Sequence, residues 1–172
     1  MAVARFDHDL VVLGAGAAGL FAATEAAGLG RRVLLIEKMK KPGIKILASG
    51  GSRCNVTSTL PIRELGRWFG RQGERFLRYA LHECGPDQVR ELLADEGVAT
   101  AEHPLEKVFP VSGRAGDVLR AFLHRLDRAG VELAVDEGIL AIEALEGGGF
   151  RIRSTRRQIE AARVVVTVGG CS

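Results

Sequence analysis

The feature that most constrains this chain is the run Gly14-Ala15-Gly16-Ala17-Ala18-Gly19, placed between two apolar stretches. Residues 9–13 (DLVVL) read as a short buried parallel strand. Residues 17–27 are rich in alanine and predict a helix, with Gly28 and Gly30 as its stop. Residues 32–37 (RVLLIE) predict a second buried strand, which completes one βαβ unit. In that setting each glycine has a task. Gly14 permits the tight turn, Gly16 leaves the backbone open to close approach, and Gly19 lets the helix pack on the strand. The amino end of the helix offers unpaired N–H groups and a partial positive charge, which suit phosphates.

Glu37 closes the second strand. A carboxylate there can accept hydrogen bonds from both hydroxyls of an adenosine ribose and would repel a 2′-phosphate. The fingerprint therefore favours FAD or NAD over NADP and does not choose between the first two.

Residues 38–59 predict a long loop, punctuated by Pro42-Gly43 and Ser49-Gly50-Gly51-Ser52. Residues 61–97 predict a helical insertion of two helices parted by Gly85-Pro86 and ended by Gly97. In the first, Phe76, Leu77, Ala80, Leu81 and Cys84 form the expected core face. Residues 108–111 predict a short extended piece, 115–129 a helix ended by Gly130, and 131–135 a third parallel strand. Residues 139–145, 150–154 and 158–161 predict a three-stranded antiparallel meander. Residues 163–168 predict a separate, buried final strand running into Gly169-Gly170.

The order of these elements resembles FAD domains of the glutathione-reductase type. The resemblance implies a Rossmann-like α/β fold, with a parallel sheet, a β-meander and a helical insertion in one FAD/NAD(P)-binding domain over residues 1–172. The run KPGIKILASGGSRCNVT (41–57) resembles the K-P-G-x-K-x-x-x-S-G-x-G-R-C-N-x-T loop of a bacterial flavoprotein family described as aminoacetone oxidase-like or BaiN-like. The run Val108-Phe109-Pro110-Val111-Ser112 is similar to that family's V-F-P-V-S segment, with Lys107 where Arg is usual. The final residues, Val166 to Ser172, are similar to its L-A-T-G-G-x-S. Two departures stand out: Ser52 where the family has Gly, and Thr167-Val168 where it has Ala-Thr. The family is more than twice as long, so the resemblance implies an N-terminal part, incomplete relative to the family.

That resemblance implies an oxidoreductase in which FAD mediates hydride transfer with a small-molecule substrate and NAD(P)H serves as a transient donor. The alternative is a non-catalytic, truncated fragment of such a flavoprotein with weak or no cofactor binding. The expected cofactor contacts are Gly14, Ala15, Gly16, Ala17, Ala18, Gly19, Glu37, Lys38, Lys45, Ser49, Gly50, Gly51, Arg53, Ile139 and Gly169. Ser49, Gly50 and Gly51 would bring backbone N–H groups to the flavin side, and Arg53 would face pyrophosphate or reduced flavin, or else a structural partner. Asn55 and Thr57 would fix the loop internally. No catalytic acid or base is assigned.

Other chemistry finds little support. Cys54, Cys84 and Cys171 show no CxxC spacing, and His8, His82, His103 and His124 show no ligand spacing, so no disulfide framework or metal site is expected. Cys54 weighs as a small buried hydrophobe over a redox thiol, and Cys84 as core. The formal charge is only +3 and the arginines spread from Arg5 to Arg163, which reads as a solvated surface rather than a nucleic-acid site. Residues 10–29 imitate a signal peptide, but Asp7, Asp9 and Glu25 and the glycine pattern argue against one. The expected setting is cytoplasmic, with no membrane partner.

Overall fold

The computed structural model describes residues 6–170; Cys171 and Ser172 of the last family-like run lie outside them. Contacts divide the chain into two units, one made of residues up to 45 and from 122 onward, the other of residues 46–121.

The first unit is built on the expected βαβ. Strand β1 (His8–Leu13) leads into helix α1 (Ala17–Gly28), and the chain returns as β2 (Val33–Ile36), parallel to β1 with Leu10 opposite Val33. Helix α1 ends as predicted, with Gly30 at φ 75° and the Arg31 N–H returning to the Ala26 carbonyl. The remaining strands are β6 (Glu132–Ala134), β7 (Ile139–Ala144), β8 (Phe150–Ser154) and β9 (Gln158–Val166). They complete a six-stranded sheet of order β6-β2-β1-β9-β8-β7. As predicted, β6 is parallel to β2.

The final strand differs from the expectation. The third meander strand and the strand before Gly169 are one element. Residues 158–161 of β9 pair antiparallel with β8, and residues 161–166 pair parallel with β1. Residues 163–168 are also not buried as predicted: Val166 is 61% and Val168 66% exposed.

Val11, Leu13, Leu34 and Ile36 share one buried cluster with Ile152, Ile159 and Ala161. Strand β9, which lies between β1 and β8, bridges the two groups through Ile159 and Ala161, so one face of the sheet carries a continuous apolar layer. The opposite face carries Val12 and Leu35, fully buried like Leu20 and Ala23 of α1.

The second unit corrects two readings. Residues 38–59 are not a continuous loop. They include α2 (Ile44–Ser52), which starts in the first unit and loses helical geometry at Ser49–Gly51, and a two-residue strand β3 (Thr57–Ser58). The insertion holds three helices, not two: α3 (Ile62–Arg67), α4 (Gly70–Glu83) and α5 (Pro86–Asp95). The predicted punctuation at Gly85-Pro86 holds, since Gly85 caps α5, Pro86 opens it and the Gln88 side chain accepts the Gly85 N–H at 3.0 Å. Strands β4 (Thr100–His103) and β5 (Lys107–Pro110) pair antiparallel, and β3 joins β5 on its other edge. Helix α6 (Ala115–Arg128) then crosses from the second unit into the first.

The predicted core face of α4 also needs correction. None of its residues is buried; Leu77 and Leu81 are half-buried, while Phe76 is 85% exposed. Cys84, expected in the core, is half-buried.

Candidate functional site

In the first unit the fingerprint residues stand where β1 hands over to α1. Gly14 has φ 100°, and its N–H donates to the Ile36 carbonyl at 2.7 Å, which ties the turn to β2. Gly19 is the tightest approach: a Cβ there would lie 1.9 Å from the Gly14 carbonyl oxygen. At Gly16 the reverse holds, since a Cβ would meet nothing within 4 Å. Helix α1 begins at Gly16 with no side-chain cap and no acid in its first turn. Ala17 and Ala18 are exposed, so the helix start is open. These are the properties a pyrophosphate requires of its seat: free amides, positive dipole end and no Cβ in the way.

Glu37 follows β2 and its carboxylate is held from two sides. One oxygen accepts the Ala15 N–H at 2.8 Å, and the other accepts the Met39 N–H at 2.9 Å. Two backbone donors fix the carboxylate beside the glycine turn and leave lone pairs for ribose hydroxyls. Glu37 also lines a cavity of about 190 Å³ with Leu13, Gly14, Lys38, Ile139 and Val168. The structure thus brings Gly14, Glu37, Lys38 and Ile139 together, although 125 positions separate the first from the last. Lys38 also faces a second hollow, of about 430 Å³, beside Lys40 and Lys41. Lys45 reaches the far end of β9, where a Cβ on Gly169 would sit 2.9 Å from its Nζ. The residues present fit an adenosine diphosphate moiety.

Two supporting residues escaped the sequence reading. The Thr167 hydroxyl lies 2.9 Å from the Leu13 carbonyl and 2.8 Å from that of Gly14, and the Thr167 N–H donates to Leu13 at 2.8 Å. The departure from the family's Ala-Thr therefore does not leave this turn without a hydroxyl. Glu137, 3% exposed, lines the Glu37 cavity. It accepts from the Ser154 hydroxyl at 2.6 Å and from Arg157 Nε at 3.2 Å. A buried charge needs such partners, but a lone Glu in a sequence gives no sign of them.

Ser49, Gly50, Gly51 and Arg53 belong to the second unit. Gly50, Gly51 and Ser52 have φ of 55°, 65° and 67°, a left-handed turn in which Ser52 alone carries a side chain. A Cβ on Gly50 would lie 2.8 Å from the Asn55 nitrogen and equally close to the Phe109 ring. The Ser49 hydroxyl donates to the Ile46 carbonyl at 2.9 Å. The Arg53 guanidinium stacks 4.5 Å from the Phe109 ring centre. Asn55 does hold the loop, but by accepting the Val108 N–H at 3.1 Å from β5 rather than through its own turn. Cys54 is buried, and burial pushes its thiol pKa up, partly offset by a hydrogen bond with Ser49.

With the turn, the open helix and the acid in place, the class is clear: a dinucleotide-binding Rossmann domain of the flavoprotein oxidoreductase type. The chain belongs to the family described as the HI0933-like protein Rossmann domain, whose model matches residues 8–172. It is 32% identical over 164 residues to the ribosomal RNA dihydrouridine synthase of Escherichia coli K12, covering 95% of this chain and 40% of that protein. It is 30% identical over 161 residues to the 3-dehydro-bile acid delta(4,6)-reductase of Clostridium scindens, covering 92% of this chain and 38% of the relative. The fold is also that of the 3-ketosteroid-delta4-(5alpha)-dehydrogenase from Rhodococcus jostii RHA1, with TM-score 0.66 at 18% identity over 98% of this chain and 47% of the other. The chain spans about 40% of the length of the curated relatives it matches. Among the described residues no helix is long and apolar enough to cross a membrane.

Proposed function

We propose that this chain is the FAD-holding part of a flavin-dependent reductase, with the adenosine diphosphate of FAD on the amino end of α1. The observation that carries the reading is the pairing of an uncapped α1 start with a Glu37 carboxylate fixed beside it by two backbone N–H groups. Gly14 to Gly19 would seat the pyrophosphate, Glu37 would grip the ribose, and Lys38 and Ile139 would border the adenosine. Lys45 and Gly169 would stand toward the phosphates, and Ser49, Gly50, Gly51 and Arg53 toward the flavin. Bound FAD would supply two-electron hydride chemistry, with a reduced nicotinamide as the proposed donor. The residues of this chain bind and orient the cofactor.

For the whole protein we propose reduction of a carbon–carbon double bond conjugated to a carbonyl. A uracil ring and a dehydro-3-oxo steroid share that group, and the names of the Escherichia coli and Clostridium scindens relatives carry one each. The exposed Val166 and Val168 support a second statement: the chain by itself holds FAD less tightly than it would with that apolar surface covered.

The test is FAD titration of the purified chain, followed by flavin fluorescence and by mass spectrometry of the retained cofactor. One FAD per chain is expected, with binding weakened about tenfold or more by Glu37→Ala as two ribose hydrogen bonds to a charged group are lost. Retention of NAD instead of FAD, or a Glu37→Ala variant that binds FAD as wild type does, would overturn the assignment.

A further inference from the structure

The arginines fall into two populations. Arg32, Arg90, Arg125, Arg151 and Arg157, for example, each meet a carboxylate within 3.2 Å. Arg63, Arg67, Arg71, Arg75 and Arg78, all on α3 and α4, meet none among the described residues and are exposed. The spread of arginine along the sequence hides this concentration.

Their placement on α4 is ordered. At 100° per residue, Arg71, Arg75, Arg78 and His82 fall in one stripe about 60° wide and about 16 Å long. Leu77, Leu81 and Cys84 form a half-buried side centred about 120° from the stripe. On the stripe's other flank Tyr79 and Phe76 follow at about 70° and 130°, 76% and 85% exposed, and Trp68 and Phe69 at the α3–α4 junction are 77% and 56% exposed. The nearby acids offset part of this charge but leave it positive: Glu64 on α3 is exposed among its arginines. Glu74 is half-buried, its Cγ 3.4 Å from where a Gly66 Cβ would sit, and Glu83 lies 3.5 Å from His82.

An apolar partner would have to strip water from five unpaired guanidinium groups, a large cost without compensating charges. An acidic protein would answer the guanidinium groups but would need apolar side chains interleaved with its acids to meet the four exposed rings. A single nucleic-acid strand answers both, with phosphates for the arginines and unstacked bases for the rings. We propose that the α3–α4 face binds single-stranded RNA, with phosphates along Arg71, Arg75 and Arg78 and bases on Phe76, Tyr79 and Trp68. The choice of RNA over DNA rests on the reading of a uracil ring as substrate; the surface itself does not depend on the flavin site.

The test uses the full chain, without added FAD, and a short fluorescein-labelled single-stranded RNA of mixed sequence. Trp68 is the sole tryptophan, so its emission reports on the face directly. Binding should quench Trp68 and weaken about 20-fold when salt rises fourfold, as three phosphate contacts to a single strand require. The triple variant Arg71→Gln, Arg75→Gln, Arg78→Gln should bind about tenfold or more weakly and lose most of the salt dependence. Phe76→Ala and Tyr79→Ala should each weaken binding about fivefold or more. Arg31→Gln with Arg163→Gln, away from α4, should change nothing. The proposal falls if RNA is not bound, if the control variant loses as much as the α4 variant, or if the α4 variant binds as wild type does. It also falls if single-stranded DNA, poly-glutamate or anionic lipid vesicles bind as tightly at equal salt. Because FAD is absent, these outcomes are independent of the FAD titration.

Discussion

Two glycines three positions apart, Gly16 and Gly19, should separate binding from folding. Alanine at Gly19 places a Cβ 1.9 Å from the Gly14 carbonyl oxygen and 2.7 Å from Thr167 Oγ1. That carbonyl cannot retreat freely, because Gly14 donates to Ile36 at 2.7 Å and its own oxygen faces the Thr167 hydroxyl at 2.8 Å. Overpacking of this kind costs about 3 kcal/mol or more, against a gain of about 1 kcal/mol for replacing glycine in a helix. A net loss of about 2 kcal/mol should lower Tm by about 4–8 °C in a chain of this size. Alanine at Gly16 meets nothing within 4 Å, and φ −78°, ψ −175° suits any residue. Its stability should change by less than about 0.5 kcal/mol, while the added methyl, standing where pyrophosphate approaches, should weaken FAD by about tenfold or more. Urea unfolding followed by circular dichroism and FAD titration by flavin fluorescence read the two effects. A Gly16→Ala chain that binds FAD normally, or a Gly19→Ala chain as stable as wild type, would refute the reasoning.

Thr167→Val removes the hydroxyl shared by the Leu13 and Gly14 carbonyls and should cost about 1 kcal/mol in urea unfolding, with Thr167→Ser restoring most of it. Ser52→Gly relieves a side chain held at φ 67° and should raise stability by about 1 kcal/mol; an unchanged unfolding midpoint would count against the left-handed turn. Cys54 should resist a thiol reagent at neutral pH until the chain is unfolded, since burial raises its pKa; rapid labelling of the native chain at that position would contradict this. Arg32 hydrogen bonds hold the Asp9 carboxyl below its ordinary value; in Glu132, burial pushes upward but hydrogen bonds from Arg157 and His8 prevail and lower it. A depressed carboxylate stabilises the fold above its unfolded pKa and loses that contribution as pH falls through the folded one. Stability should therefore decline below the ordinary carboxylate range, and Asp9→Asn should flatten the decline in acid denaturation.

The βαβ was legible because its signals agree: two β-branched and leucine-rich runs, glycines at fixed spacing and an alanine helix between them. The misreadings have separate causes. Strand β9 looked like two strands because it serves two partners, β8 on one edge and β1 on the other, and sequence alone does not show a change of edge. The helical turn of α2 was hidden by Gly50-Gly51, which belong to the left-handed turn that ends it. On α4 apolar spacing alone groups Phe76 and Ala80 with Leu77 and Leu81. The inward side is the narrower set Leu77, Leu81 and Cys84, and Phe76 faces outward among arginines.

For the site, what sequence could supply was the local half. Glycine spacing and the acid after β2 act within one βαβ, so their consequences are readable over thirty residues. The other half comes from far along the chain. Thr167 joins the fingerprint turn only because β9 runs parallel to β1 in the register that sets Leu13 opposite Val166. The same register carries Val168 to the Glu37 cavity and Gly169 to Lys45, while β7 supplies Ile139 from the opposite edge of the sheet. A one-residue slip of β9 would turn its side chains to the other face and withdraw the hydroxyl from the turn. The nucleotide seat we propose therefore draws on the first βαβ and on β9 together, and the β1–β9 pairing that joins them is the most non-local in the fold.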